Sequence, residues 1–113
     1  LSGTLPGSIT NMISLERIDF SENALTGFIP DNFILLKNLK RMLLHDNQLT
    51  SSIPEDIVNL TSLEDLRLNN NLFSGSIPSS IGVLKDLQAL HIQNNLLTGH
   101  FPSSIYDLNN LGK

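Results

Sequence analysis

Three histidines, scattered carboxylates and abundant serine and threonine hydroxyls are the groups in this 113-residue chain that could do chemistry; cysteine is absent. Without thiolates, a sulfur-ligated zinc site and a disulfide framework are both excluded. His45 sits beside Asp46, while His91 and His100 lie far downstream. With His45 and His91 on strands of one sheet separated by a third strand, they stand two strand spacings apart, about 9 to 10 Å. That is too far to share one ion, so neither a metal site nor a cofactor is expected. No serine occupies a G-x-S-x-G elbow, and the glycines form no phosphate-cradling loop. The chain therefore reads as a non-enzyme.

Charge narrows the partners. Seven lysines and arginines against eleven aspartates and glutamates give a net charge of -4. The basic side chains are also dispersed, whereas a phosphate-binding surface needs them clustered, so nucleic acid is excluded as a partner. No apolar run is long enough to cross a bilayer, and the opening LSGTLPGSIT lacks the features of a signal peptide. Attachment to a membrane is expected only through a longer parent chain.

What must position these groups is a repeat. Proline recurs at Pro6, Pro30, Pro54, Pro78 and Pro102, leucine at Leu15, Leu39, Leu63, Leu87 and Leu111, and asparagine at Asn23, Asn47, Asn71 and Asn95. Each series steps by one 24-residue unit, and internal repetition of this kind overrides any motif read in isolation. Apolar positions keep the same register: Ile18, Met42, Leu66 and Leu90; Phe20, Leu44, Leu68 and Ile92; Leu25, Leu49, Phe73 and Leu97; Ile29, Ile53, Ile77 and Phe101.

The unit is L-x-x-L-x-L-x-x-N-x-L-x-G-x-I-P-x-x-I-x-x-L-x-x. Its alternating part predicts four short parallel strands, over Arg17 to Ser21, Arg41 to His45, Asp65 to Asn69 and Ala89 to Gln93. The asparagine that follows can donate and accept, so stacked copies at Asn23, Asn47, Asn71 and Asn95 should form a buried structural ladder. The G-x-I-P step suits a second turn and a short flanking strand, and the remainder closes the coil with loose helix on the outer side.

The segments LEDLRLNNNLFSGSIP (Leu63 to Pro78) and LQALHIQNNLLTGHFP (Leu87 to Pro102) resemble the leucine-rich repeat family in its plant-type subclass. The resemblance runs through essentially the whole chain, with local departures: Ser51 for the usual glycine, Met12 and Met42 for leucine, Phe101 for isoleucine. It implies an α/β repeat solenoid, a right-handed superhelix with a concave parallel β-sheet and short turns or 3-10 segments on the convex side. It further implies protein or peptide recognition, as in the extracellular regions of receptor-like kinases and receptor-like proteins, at the cell surface. A secreted or cytosolic scaffold or enzyme-inhibitor protein without signalling is the alternative. The expected layout is a partial repeat at 1-14, repeats at 15-38, 39-62, 63-86 and 87-110, and the start of another at 111-113. Capping units are missing from this layout, so a longer parent is expected, along with self-association through uncapped ends.

Binding is expected on strand positions facing out of the core, which vary from coil to coil while core positions do not. These candidates are Arg17, Asp19, Arg41, Leu43, His45, Asp65, Arg67, Asn69, His91 and Gln93. Leu43 is read as an exposed apolar contact, and adjacent Arg17 and Arg41 as a possible receiver for a carboxylate or sulfate. The Glu16, Lys40, Glu64 and Gln88 column alternates in sign and is read as stacking support. The sequon Asn59-Leu60-Thr61 marks Asn59 for N-glycosylation if the protein enters the secretory pathway.

Overall fold

The computed structural model describes residues 2-99 and 101-108. Expectations placed on His100, on Leu111 and on the start of a repeat at 111-113 lie outside the described residues. Four successive coils each contribute a three-residue strand to a parallel sheet: β2 (Arg17–Asp19), β4 (Arg41–Leu43), β5 (Asp65–Arg67) and β7 (Ala89–His91). They pair in the order β2-β4-β5-β7 without register slip, so Arg17, Arg41, Asp65 and Ala89 form one row and Asp19, Leu43, Arg67 and His91 another.

The strands are shorter than the alternation predicts, ending at the residue before the second core position. At the residue just past each predicted strand, the backbone turns into the left-handed region, at Glu22, Asp46, Asn70 and Asn94 with φ of 57 to 60°. Hydrogen bonds nevertheless continue from coil to coil beyond the strands. Glu22 N–H donates to His45 O at 3.0 Å, Asp46 N–H to Asn69 O at 3.0 Å and Asn70 N–H to Gln93 O at 3.0 Å.

On the flank, β1 (Ser2–Thr4) pairs with β3 (Ala24–Thr26), and β6 (Ser74–Gly75) with β8 (Leu96–Leu97). These strands fall at the L-x-G part of the repeat, just ahead of the proline. Pro30, Pro54 and Pro102, in extended backbone, stand instead as N-caps of single-turn 3-10 helices, where a missing N–H forfeits nothing. The 3-10 segments, Gly7–Asn11, Asp31–Leu35, Glu55–Asn59, Ile81–Val83 and Ser103–Asp107, close the coils.

One continuous core runs through the stack. Leu36, Leu39, Leu44, Leu49, Leu63, Leu68, Phe73, Leu84 and Leu87 are wholly buried. Two repeat positions depart from this pattern: Met12 is 58% exposed and Phe101 61% exposed. Both occupy core registers, but each lies in an outermost described coil, where only one side is covered by a neighbour. For the same reason Leu90, Ile92 and Leu97 are half-buried, although Leu66, Leu68 and Phe73 one coil earlier are closed off. An open groove of about 490 Å³ lies against this last coil, lined by Leu90, Ile92, Leu97, Phe101 and Ile105 among others. It is an uncovered core layer.

Candidate ligand-recognition face

The asparagine file carries the sheet. Asn47 Nδ2 donates to Phe20 O of the preceding coil at 2.9 Å and to Leu44 O at 3.1 Å, and its Oδ1 accepts Leu25 N–H at 3.0 Å. Asn71 repeats this with Leu44 O (2.9 Å) and Leu49 N–H (3.0 Å), and Asn95 with Leu68 O (2.9 Å) and Phe73 N–H (3.0 Å). Asn23 Nδ2 bonds Phe20 O and Ser21 O within its own coil. Asn47 and Asn71 are buried, while Asn23 and Asn95, in the outermost coils with strands, are half-buried. The ladder is therefore aligned, but only its inner members are sealed. Each amide satisfies backbone groups that the chain leaves unpaired as it turns inward, a cost of about 1 to 3 kcal/mol per buried orphan if unmet.

A second side-chain file lies one residue earlier. Asn94 Nδ2 donates to Asn70 Oδ1 at 2.7 Å, and Asn70 Nδ2 donates to Asp46 Oδ1 at 2.6 Å. Its signal in the sequence was the amide or carboxylate at the same register of the Asn-Asn pairs, a position that also needs the left-handed conformation that Asn and Asp tolerate.

With these supports in place, the outward rows can be read. Arg17 and Arg41 are neighbours in register as expected, but Arg17 turns along its own strand to Asp19 (3.1 Å). Ser21 gives Asp19 Oδ1 its hydroxyl at 2.6 Å and its N–H at 3.1 Å. Those two hydrogen bonds, with the Arg17 guanidinium, hold the Asp19 carboxyl below the ordinary carboxylate value against slight opposition from burial. Two coils on, Arg67 Nε donates to Asp65 Oδ1 at 2.9 Å, which raises the guanidinium pKa further. The two pairs run in opposite senses, R-x-D in β2 and D-x-R in β5.

Between them stands Arg41. It is exposed, lies in register with Arg17 on one side and Asp65 on the other, and makes no ion pair among the described residues. Leu43 corrects the sequence reading: it is 8% exposed and belongs to the buried set. Its in-register neighbours are Asp19 and Arg67, and packing between those two strands leaves little of it open to solvent. Lys40 reaches Glu16 at 3.7 Å, the one ion pair the alternating column forms among the described residues, exposed enough to contribute little. His45, Asn69 and His91 are half-buried and Gln93 is exposed. Asn59 is exposed at the end of its 3-10 helix on the opposite side of the coil.

A sheet of this architecture, stacked on an asparagine ladder and backed by 3-10 turns, defines a leucine-rich-repeat solenoid. The leucine-rich repeat profile matches residues 13–73, and a second such profile residues 86–108. The chain belongs to the leucine-rich repeat family.

Among solved structures, the plant peptide hormone receptor RGFR1 in complex with RGF2 superposes with a TM-score of 0.95 at 41% identity, over 98% of this chain and 18% of that one. The ectodomain of the membrane receptor kinase GASSHO1/SCHENGEN3 from Arabidopsis thaliana, in complex with CASPARIAN STRIP INTEGRITY FACTOR 2, gives 0.94 at 38% identity, over 98% and 13%. A plant ice-binding protein gives 0.92 at 32% identity, over 96% and 35%. The chain thus spans about a third or less of each of these proteins. A comparison with curated proteins returned no match.

Proposed function

We propose that this chain is a segment of the cell-surface recognition region of a receptor-like kinase or receptor-like protein, and that it binds a peptide or protein on the sheet face without catalysing a reaction. The carrying observation is Arg41, an exposed guanidinium left unpaired among the described groups between two internally neutralised pairs. An arginine with no internal partner favours a carboxylate from outside, through two parallel hydrogen bonds. The RGFR1 and GASSHO1 structures, both of receptors with a bound ligand, support a peptide or protein as the occupant. The rest of a solenoid, in units before 15 and after 110, would complete the binding region and cover the outermost core layers. An isolated piece would bury those layers by self-association.

The test is capture of peptides from a displayed random library. Arg41→Glu, Arg67→Glu or His91→Glu should each lower capture by about tenfold or more, consistent with loss of an interfacial charge contact, whereas Lys37→Glu and Lys85→Glu on the outer side should leave it unchanged. Equal losses from both faces would defeat the assignment to the sheet.

A further inference from the structure

The file of side-chain hydrogen bonds that runs from Asn94 through Asn70 ends badly at its next member. Asn94 donates to Asn70 and Asn70 to Asp46, but the equivalent residue of the preceding coil is Glu22, another carboxylate. Asp46 and Glu22 are both acceptors, so no proton is available to join them, and two like charges at neighbouring positions repel. His45 lies between them in the chain path. Glu22, His45 and Asp46 are the one group of three ligating side chains found among the described residues, with one candidate ligand atom from each lying within 4.8 Å of the others.

The backbone holds this trio in place. Glu22 N–H donates to His45 O at 3.0 Å and Asn23 N–H to Asp46 O at 3.2 Å, so ligands from two coils are pinned by the coil-to-coil ladder. A tetrahedral ion bound at about 2.1 Å wants its ligand atoms roughly 3.4 Å apart. An ion there requires the exposed Glu22 side chain to change rotamer so that the remaining gap closes.

A separate observation points to the same place. His45 Nδ1 and Asn69 Oδ1 are both shut from solvent, and neither has a hydrogen-bond partner. They belong to equivalent positions of adjacent coils, joined next door by Asp46 N–H to Asn69 O at 3.0 Å. A hydrogen bond from Nδ1–H to Asn69 Oδ1 would satisfy both atoms and would select the tautomer with its lone pair on Nε2. Metal-ligating imidazoles are oriented in this way by an oxygen on the far nitrogen.

We propose that Glu22, His45 and Asp46 form a site for one divalent transition-metal ion of the zinc class, with Asn69 as a positioning residue that fixes the His45 tautomer. One nitrogen and two carboxylate oxygens suit such an ion better than calcium or magnesium, which favour all-oxygen sets. The absence of cysteine and the distance between the two sheet imidazoles, on which no metal site was expected, leave out carboxylates from an adjacent coil. The neighbouring coil supplies the missing carboxylate.

The experiment is calorimetric titration of the untagged chain with Zn²⁺ in a non-chelating buffer, repeated on single variants. Binding of one ion is expected, weakened at least about tenfold in His45→Ala and Glu22→Gln and roughly tenfold in Asn69→Leu, with His91→Ala unchanged. No binding by the wild type, binding undiminished in His45→Ala and Glu22→Gln, or equal loss in His91→Ala overturns the proposal. Should a variant fail to fold, NMR on the wild type decides. The His45 ring signals should shift and saturate at one equivalent of Zn²⁺ while those of His91 stay in place, and unmoved His45 signals refute the site.

Discussion

Asn71 Oδ1 accepts the backbone N–H of Leu49 from the coil before it, at 3.0 Å in a fully buried setting. The same amide donates to Leu44 O of that coil at 2.9 Å, so one side chain closes both halves of an inter-coil turn. Replacing it with leucine, similar in size but without polar atoms, strands a buried N–H and a carbonyl together. Asn71→Leu should destabilise the chain by about 3 kcal/mol, read from urea denaturation followed by circular dichroism. Asn23→Leu, at a half-buried position, should cost distinctly less; equal costs would contradict the ladder.

Ser51 stands where the other coils place glycine, and it adopts the same left-handed backbone, with φ of 71° against 82° at Gly27 and 75° at Gly75. A side chain in that region is strained by about 1 kcal/mol or more. Ser51→Gly should therefore stabilise the fold by about 1 kcal/mol, partly offset by a more flexible unfolded chain. A lower urea midpoint for the variant would count against this account.

Gly82 has no positive φ, and its reason is space. A Cβ there would overlap the backbone oxygen of Ser104 and come within 2.8 Å of the Ser104 Cβ. The close approach also brings Gly82 N–H to Ser104 Oγ at 3.2 Å, with that hydroxyl donating to Ser79 O at 2.6 Å. Gly82→Ala should cost about 1 to 3 kcal/mol through forced separation of the last two 3-10 turns, whereas the inner coils carry Ile34 and Val58 at this register without penalty.

Asp19 links stability to acid. Its folded pKa lies below the ordinary value, chiefly because the Ser21 hydroxyl and N–H donate to it. The stabilisation is therefore present above the unfolded carboxylate pKa, near pH 4, and is lost as pH falls through the lowered folded value. Ser21→Ala should move the Asp19 titration midpoint upward in an NMR titration of the carboxyl carbon. An unmoved midpoint would show the hydroxyl to be irrelevant.

Asn59 and Thr61 are both exposed on the outer side, away from the sheet rows. Protein produced through a secretory pathway should carry a glycan at Asn59, seen as a mass increment on the peptide containing it. Peptide capture by the sheet face should be the same before and after enzymatic removal of the glycan.

The 24-residue register was sufficient to place the parallel sheet and the asparagine file, because a repeat unit can bury its leucines only against copies of itself. It also identified which residues share a row, as the Arg17, Arg41 and Asp65 pairing bears out. It could not say how those rows are spent. Arg17 and Arg67 turn to carboxylates on their own strands and leave Arg41 alone, while Leu43 is buried. Rotamer choice among side chains only a strand spacing apart makes those decisions, and sequence spacing does not encode it. The meeting of Glu22 with His45 and Asp46 has the same origin: residues a full coil apart in sequence become neighbours only when the chain has wound once round its core.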